Sequence, residues 1–228
     1  AWSKARRARL RLEPVPADRL HLVRHGEVHN PDGVLYGRLE RFRLSERGQA
    51  MAARSADALL DQGAPVTRLY ASPLQRAQEA AAPWAARTGL EIRTEPRIIE
   101  PTNVFEGKAF GFGPKLLAHP GHWRHVYNPW KPSWGEPYAQ IAERMLAAMT
   151  EAWDEADGGD VVMVSHQLPI WTVHRAVVGE RFIHDPRKRR CALSSITTFE
   201  RPGGRFAEIR YQDPNADSGD TPIDRGAV

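Results

Sequence analysis

One cysteine, Cys191, is all that 228 residues provide, which excludes an internal disulfide and fits a reducing compartment. No apolar run approaches the roughly 20 residues that a membrane-spanning helix needs. The first residues also lack the apolar stretch of a secretory signal, so a cytoplasmic location is expected. The formal charge of +4 invites a nucleic-acid reading, but its two dense clusters, Lys4 to Arg11 and Arg187 to Arg190, have no interleaved aromatics. No recognisable nucleic-acid module surrounds them, and attraction for anionic substrates is the more economical use of the charge. His119, His122 and His125 recur every three residues without a nearby Cys or close carboxylate. That is not a zinc spacing, so no metal and no cofactor are expected. There is no internal repeat, and the length suits one globular domain carrying an insertion.

What is present are apolar strands that end in chemistry. Leu20 to Val23 reads as the end of a buried strand, followed by Arg24-His25-Gly26. In an open α/β sheet, ligands bind outside the carboxyl ends of the strands. A guanidinium there offers a planar fork that matches phosphate, and an imidazole can attack phosphorus. Gly26 is expected to let the backbone turn close to an anion. A second strand, Val66 to Tyr70, runs into Ala71-Ser72-Pro73-Leu74-Gln75-Arg76-Ala77. Arg76 there faces either the strand ends or, as a surface residue, Glu79. A third strand, Val161 to Val164, is continuously apolar, as in the centre of a parallel sheet, and leads into Ser165-His166-Gln167. Helical periodicity joins the strands. One helix starts at Ser45 as N-cap with Ala50, Ala53, Ala56 and Leu59 at helical spacing, and stops at Gly63. A second runs from Ser72 and Pro73 to about Arg87, a third from Pro137 to about Glu155, and a fourth from His166 to Val178. Ile92 to Arg97 reads as a short strand, and Ser194 to Glu200 with Arg205 to Tyr211 as a terminal hairpin. The sum is an α/β three-layer sandwich with a mostly parallel central sheet and helices on both faces.

Arg-His-Gly after the first strand, Ser-Pro-Leu-x-Arg-Ala opening a helix and a late Ser-His together resemble the histidine phosphatase, or phosphoglycerate mutase-like, superfamily. The resemblance runs from about Leu20 to Phe199 and favours the phosphatase branch. It implies a metal-independent phosphomonoesterase in which His25 becomes phosphohistidine, while Arg24, Arg76 and charged His166 hold the phosphoryl oxygens. Glu100 matches the family's acid after the third strand, with Glu106 in Phe105-Glu106-Gly107 as its rival. Asn30 matches a polar phosphate contact, although it stands one residue closer to His25 than in the mutases, and an Asx turn before Pro31 explains it equally well. Gln167 replaces the family's usual Gly, where it would narrow the pocket or touch substrate. The mutases' Glu-Arg-His-Tyr-Gly is here Glu100-Pro101-Thr102-Asn103-Val104, which argues for hydrolysis of a small phosphorylated metabolite over mutase transfer. Intact His25 and His166 argue against a module that only binds phospho-ligands.

Three peripheral segments complete the organisation. Residues 1–18 read as a basic, mobile arm ahead of the domain at 19–212. The stretch from about 105 to 138 is rich in Gly, Pro and aromatics; it reads as a cap over the phosphate site or as a small satellite core. From Asp213 the composition suggests a disordered tail.

Overall fold

The computed structural model describes residues 15–103, 106–107 and 135–218. Its six strands are β1 (Arg19–Arg24), β2 (Val66–Ala71), β3 (Ile92–Thr94), β4 (Asp160–Ser165), β5 (Ile196–Glu200) and β6 (Ala207–Gln212), in the order β3-β2-β4-β1-β5-β6. β1 pairs in parallel with β4, as β2 does with β4 and β3 with β2, whereas β5 is antiparallel to both β1 and β6. All of β4 and all but the first residue of β1 are buried, as expected of strands covered on two faces. The register of β1 on β4 runs from Arg19 opposite Asp160 to Arg24 opposite Ser165, so the two strands end level.

The helices α1 (Glu46–Leu60), α2 (Gln75–Thr88), α3 (Tyr138–Asp154) and α4 (Gln167–Val178) form the outer layers. Alternation along the strands divides the core. Val23, Val162, Val164 and Ile196 pack with Ala52 and Ala56 of α1 and with Ala77, Ala80 and Trp84 of α2. Leu20, Leu22, Val161 and Met163 face the other way, onto Ile141, Met145 and Met149 of α3 and Ile170 and Val173 of α4. The Ser45 hydroxyl accepts the Gly48 N–H at 3.0 Å and caps α1, while Gly89 and Gly179, both in the left-handed region, terminate α2 and α4. Within the sheet, His21 lies between Thr198 Oγ1 at 2.9 Å and Asp160 Oδ2 at 3.0 Å, joining three strands by side chains that are all buried.

Three local expectations change. The strand expected over Ile92 to Arg97 ends at Thr94, because Pro96 has no N–H for the ladder and the Glu95 carboxylate accepts the Arg97 N–H instead, starting a 3-10 turn at Pro96–Ile98. The arm closes onto the body earlier than expected, since Ala17 N–H donates to Trp153 O and Asp18 N–H to Gly159 O. The tail does not begin at Asp213. Residues 214–217 form a turn, and the buried Asn215 accepts from Arg54 Nε at 2.6 Å on α1. Most of the expected cap, like residues 1–14 and the histidines at 119, 122 and 125, lies outside the described residues. Its two ends meet where Asn103 and Gly135 form an antiparallel bridge. Among the described residues no helix is long and apolar enough to cross a membrane.

Candidate active site

The ends of β1, β2 and β4, with the loops that follow them, bring the predicted residues together. Arg24 closes β1 and His25 follows it; His166 follows β4, and Arg76 lies in the first turn of α2 beyond β2. Glu100 comes from the segment after β3. These five side chains belong to residues between 0 and 5% exposed, an arrangement that costs desolvation unless charges and hydrogen bonds offset it. The rings of His25 and His166 lie 5.2 Å apart at an interplanar angle of 61°. Arg24 Nη1 donates to Cys191 O at 2.7 Å, and Arg76 Nη2 to Gly37 O at 2.7 Å, with the Arg76 guanidinium 4.7 Å from the centre of the Tyr36 ring. Both arginines are therefore fixed by backbone carbonyls rather than neutralised by carboxylates in those contacts.

The hydrogen bonds assign the proton on His25. Its Nδ1 lies 2.8 Å from Gly26 O, and a carbonyl only accepts, so Nδ1 carries the hydrogen and Nε2 keeps its lone pair. Burial, then Arg76 and Arg24, hold the His25 pKa well below its usual value, so the ring is neutral. His166 Nε2 meets Ser72 Oγ at 2.7 Å, and its Nδ1 stands 3.8 Å from Glu100 Oε2, too far for a hydrogen bond. Burial, then Arg76, His25 and Arg24, also push His166 well below its usual pKa. The protein's own groups thus hold this ring neutral. Burial pushes the Glu100 carboxyl up to about 7 despite Arg76, Arg189 and Arg24 nearby. Arg76 Nε, Glu100 Oε1 and His166 Nδ1 are buried and find no hydrogen-bond partner among the described residues. Each such atom costs about 1–3 kcal/mol, and three in one cluster point to a polar ligand. Among the described residues no group of three His, Cys, Asp or Glu side chains is placed to hold a metal ion.

Other expected contacts are placed elsewhere. Asn30 Nδ2 donates to Val34 O at 2.8 Å and its Oδ1 accepts from Val34 N at 3.0 Å. The side chain braces its own loop. Glu106 Oε1 accepts the Asn103 N–H at 3.0 Å and packs under Gly37, bracing the turn after Glu100. Gln167 turns to Arg189, whose Nη1 donates to its Oε1 at 3.2 Å. Gly26 serves packing: a Cβ there would stand 2.3 Å from Gly48 O, because the end of β1 abuts the first turn of α1.

Comparison with known proteins gives this geometry a family. The model of the histidine phosphatase superfamily, branch 1, matches residues 20–214. The chain belongs to that superfamily. Its relatives include the uncharacterized protein Rv0525 of Mycobacterium tuberculosis, 50% identical across 86% of this chain and 96% of that one. The glucosyl-3-phosphoglycerate phosphatase of the same organism is 31% identical across 86% and 92%. Among solved structures, YhfR of Bacillus stearothermophilus superposes with a TM-score of 0.69 at 25% identity, covering 84% of this chain and 95% of that one.

Several groups of this histidine phosphatase site escape a reading of the sequence. Ser72 orients His166, Tyr36 lies over Arg76, and Cys191 O holds Arg24. Only Ser72 sits in a motif, where the Ser-Pro-Leu run gave a signal that it mattered. The Cys191 contact joins residues 167 apart and goes through a carbonyl, which every residue has.

Proposed function

We propose that the protein hydrolyses phosphomonoesters of a small metabolite through a phosphohistidine on His25. The observation that carries this reading is the fixed tautomer of His25, whose hydrogen is committed to Gly26 O and whose Nε2 lone pair is available for in-line attack. Arg24 and Arg76, which both act on His25 and are each anchored to a backbone carbonyl, are suited to the equatorial oxygens on which negative charge shifts during transfer. A dianionic phosphoryl group would favour a proton on His166, adding a donor as charge builds. Glu100, held up to about 7, carries a proton near neutrality and would give it to the leaving oxygen, then take one from the attacking water. The cationic side chains supply the charge that a metal supplies elsewhere. The glucosyl-3-phosphoglycerate phosphatase among its relatives supports a small organic phosphate as substrate.

The test is a panel of phosphomonoesters assayed with and without EDTA, together with acid-quench trapping of labelled enzyme. Turnover should survive the chelator, and an acid-labile phosphoenzyme should accumulate in the parent protein and vanish with His25→Ala. A His25→Ala protein that hydrolyses at the parent rate would overturn the assignment.

A further inference from the structure

The parallel strands have a second end. Arg19 opens β1 and Asp160 opens β4, paired across the sheet, and the same strands close on Arg24 and Ser165. At about 3.3 Å per residue, their starts lie ~16 Å from the phosphoryl site. A cavity of about 280 Å³ opens there, between the sheet and the turn that follows α1. His21, Thr198 and Arg210 form one row across β1, β5 and β6, and residues opposite one another in a ladder share a face. That face is the α1 side, with Val23 and Val162, because Leu20 and Leu22 turn to α3 and α4. Leu59, Ala64 and Pro65 close the cavity from above.

Its charges are divided. The Asp160 side chain, 2% exposed, lines the cavity. Its Oδ2 accepts the His21 Nε2–H at 3.0 Å, and its Oδ1 has no partner among the described residues. A carboxylate can accept about four hydrogen bonds, and burying one on a single donor is costly. Gln212, also in the lining, has a buried Oε1 without a partner among the described residues. Both groups want donors. On the other side, Arg210 Nη1 donates at 2.9 Å to Gln62 Oε1, a neutral amide that leaves its charge uncancelled. Arg19 reaches Glu200 at 3.6 Å in an exposed pair, which holds it weakly.

We propose that this cavity is a second ligand site, which takes a small zwitterion of the α-amino-acid kind, its ammonium on Asp160 and its carboxylate on Arg210 and Arg19. The ammonium brings the donors that Asp160 lacks, and a guanidinium matches a carboxylate through two parallel hydrogen bonds. Leu59, Ala64 and Ile209 offer an apolar wall to a short side chain. A simple anion would bring a second negative charge toward Asp160, and a simple amine would sit beside two guanidiniums; a molecule carrying both signs meets neither repulsion. The site stands apart from His25 and does not depend on the phosphatase reading.

NMR titration of the isotope-labelled full chain with glycine, L-alanine, L-serine and L-valine tests this, with propionate and ethylamine as probes of one charge each. At least one amino acid should shift the amide signals of Gly63, Ala64 and Arg210 and leave those of Gly26 and Gln167 in place. It should bind at least about tenfold more tightly than propionate or ethylamine. D160N should weaken the amino acid by about tenfold or more and spare propionate. R210M should weaken the amino acid as much and spare ethylamine. R210M alters an exposed residue, so the test holds even where D160N unfolds because His21 loses its acceptor. Failure of all four amino acids to shift the cavity signals overturns the site. Propionate or ethylamine binding as tightly as the amino acids, or R210M binding them with the parent's affinity, overturns the assignment of a zwitterion.

Discussion

Glu100 couples the stability of the fold to pH with a sign opposite to that of most carboxylates. Its pKa rises from an ordinary 4.5 to about 7 because burial disfavours the charged form more than the surrounding arginines favour it. A raised carboxyl contributes stability that is fully present below 4.5 and is lost as pH climbs through about 7. At about 1.4 kcal/mol per tenfold change in proton affinity, the interval corresponds to ~3 kcal/mol. Glu100→Gln keeps the shape and removes the ionisation. Urea unfolding in phosphate-free buffer should then show parent and variant of similar stability near pH 4.5, diverging until the variant is ahead by ~3 kcal/mol at pH 9. In a chain of this size that amounts to roughly 6–12 °C in Tm. The same substitution should slow hydrolysis of alkyl phosphates by about 10²- to 10⁴-fold and of p-nitrophenyl phosphate far less, since a phenolate leaves without a proton. The parent's rate on alkyl esters should fall above about pH 7 as Glu100 ionises. Parallel stability curves for the two proteins would refute the account of burial. A leaving-group dependence that follows Glu106→Gln instead would move the acid to the other glutamate.

Two further outcomes concern the frame. Gly26→Ala places a Cβ against the backbone of Gly48, which cannot rotate away as a side chain can; urea titration should show a loss of about 1–3 kcal/mol, and a variant as stable as the parent would contradict the close approach. Asn215→Ala removes the acceptor of Arg54 and should cost about 1–2 kcal/mol; unchanged unfolding would mean that the turn after β6 is not held on α1.

The parts of this molecule that could be read from its sequence are those governed by local period and by strand ends. The continuous Val161 to Val164 run, the Ser45 cap and the spacing of Ile141, Met145 and Ala148 each report their surroundings within a few residues, and the sheet and helices follow from them. Arg24, His25, Arg76 and His166 were legible because each stands at a predicted strand-to-loop or strand-to-helix boundary. Arg189 was not, since a four-residue basic run has nothing in it to tell which member turns inward; Asp185 and Glu208 decide that by claiming its neighbours. Asn30 was ambiguous for a related reason: its amide can serve a phosphate or a loop, and only the position of Val34 reveals the loop contact. Composition also misjudged the residues after Asp213, where one buried amide against α1 outweighs a polar neighbourhood.

The level ends of β1 and β4 have a consequence for how such a catalyst can diverge. Adjacent strands stand about 4.8 Å apart, and the two imidazoles that follow them stand at 5.2 Å. The separation of the two rings thus follows the spacing of the sheet, set by hydrogen bonding between main chains. Insertions elsewhere can be exchanged without retuning it, whereas slipping one strand by a single residue would carry one ring away from the other.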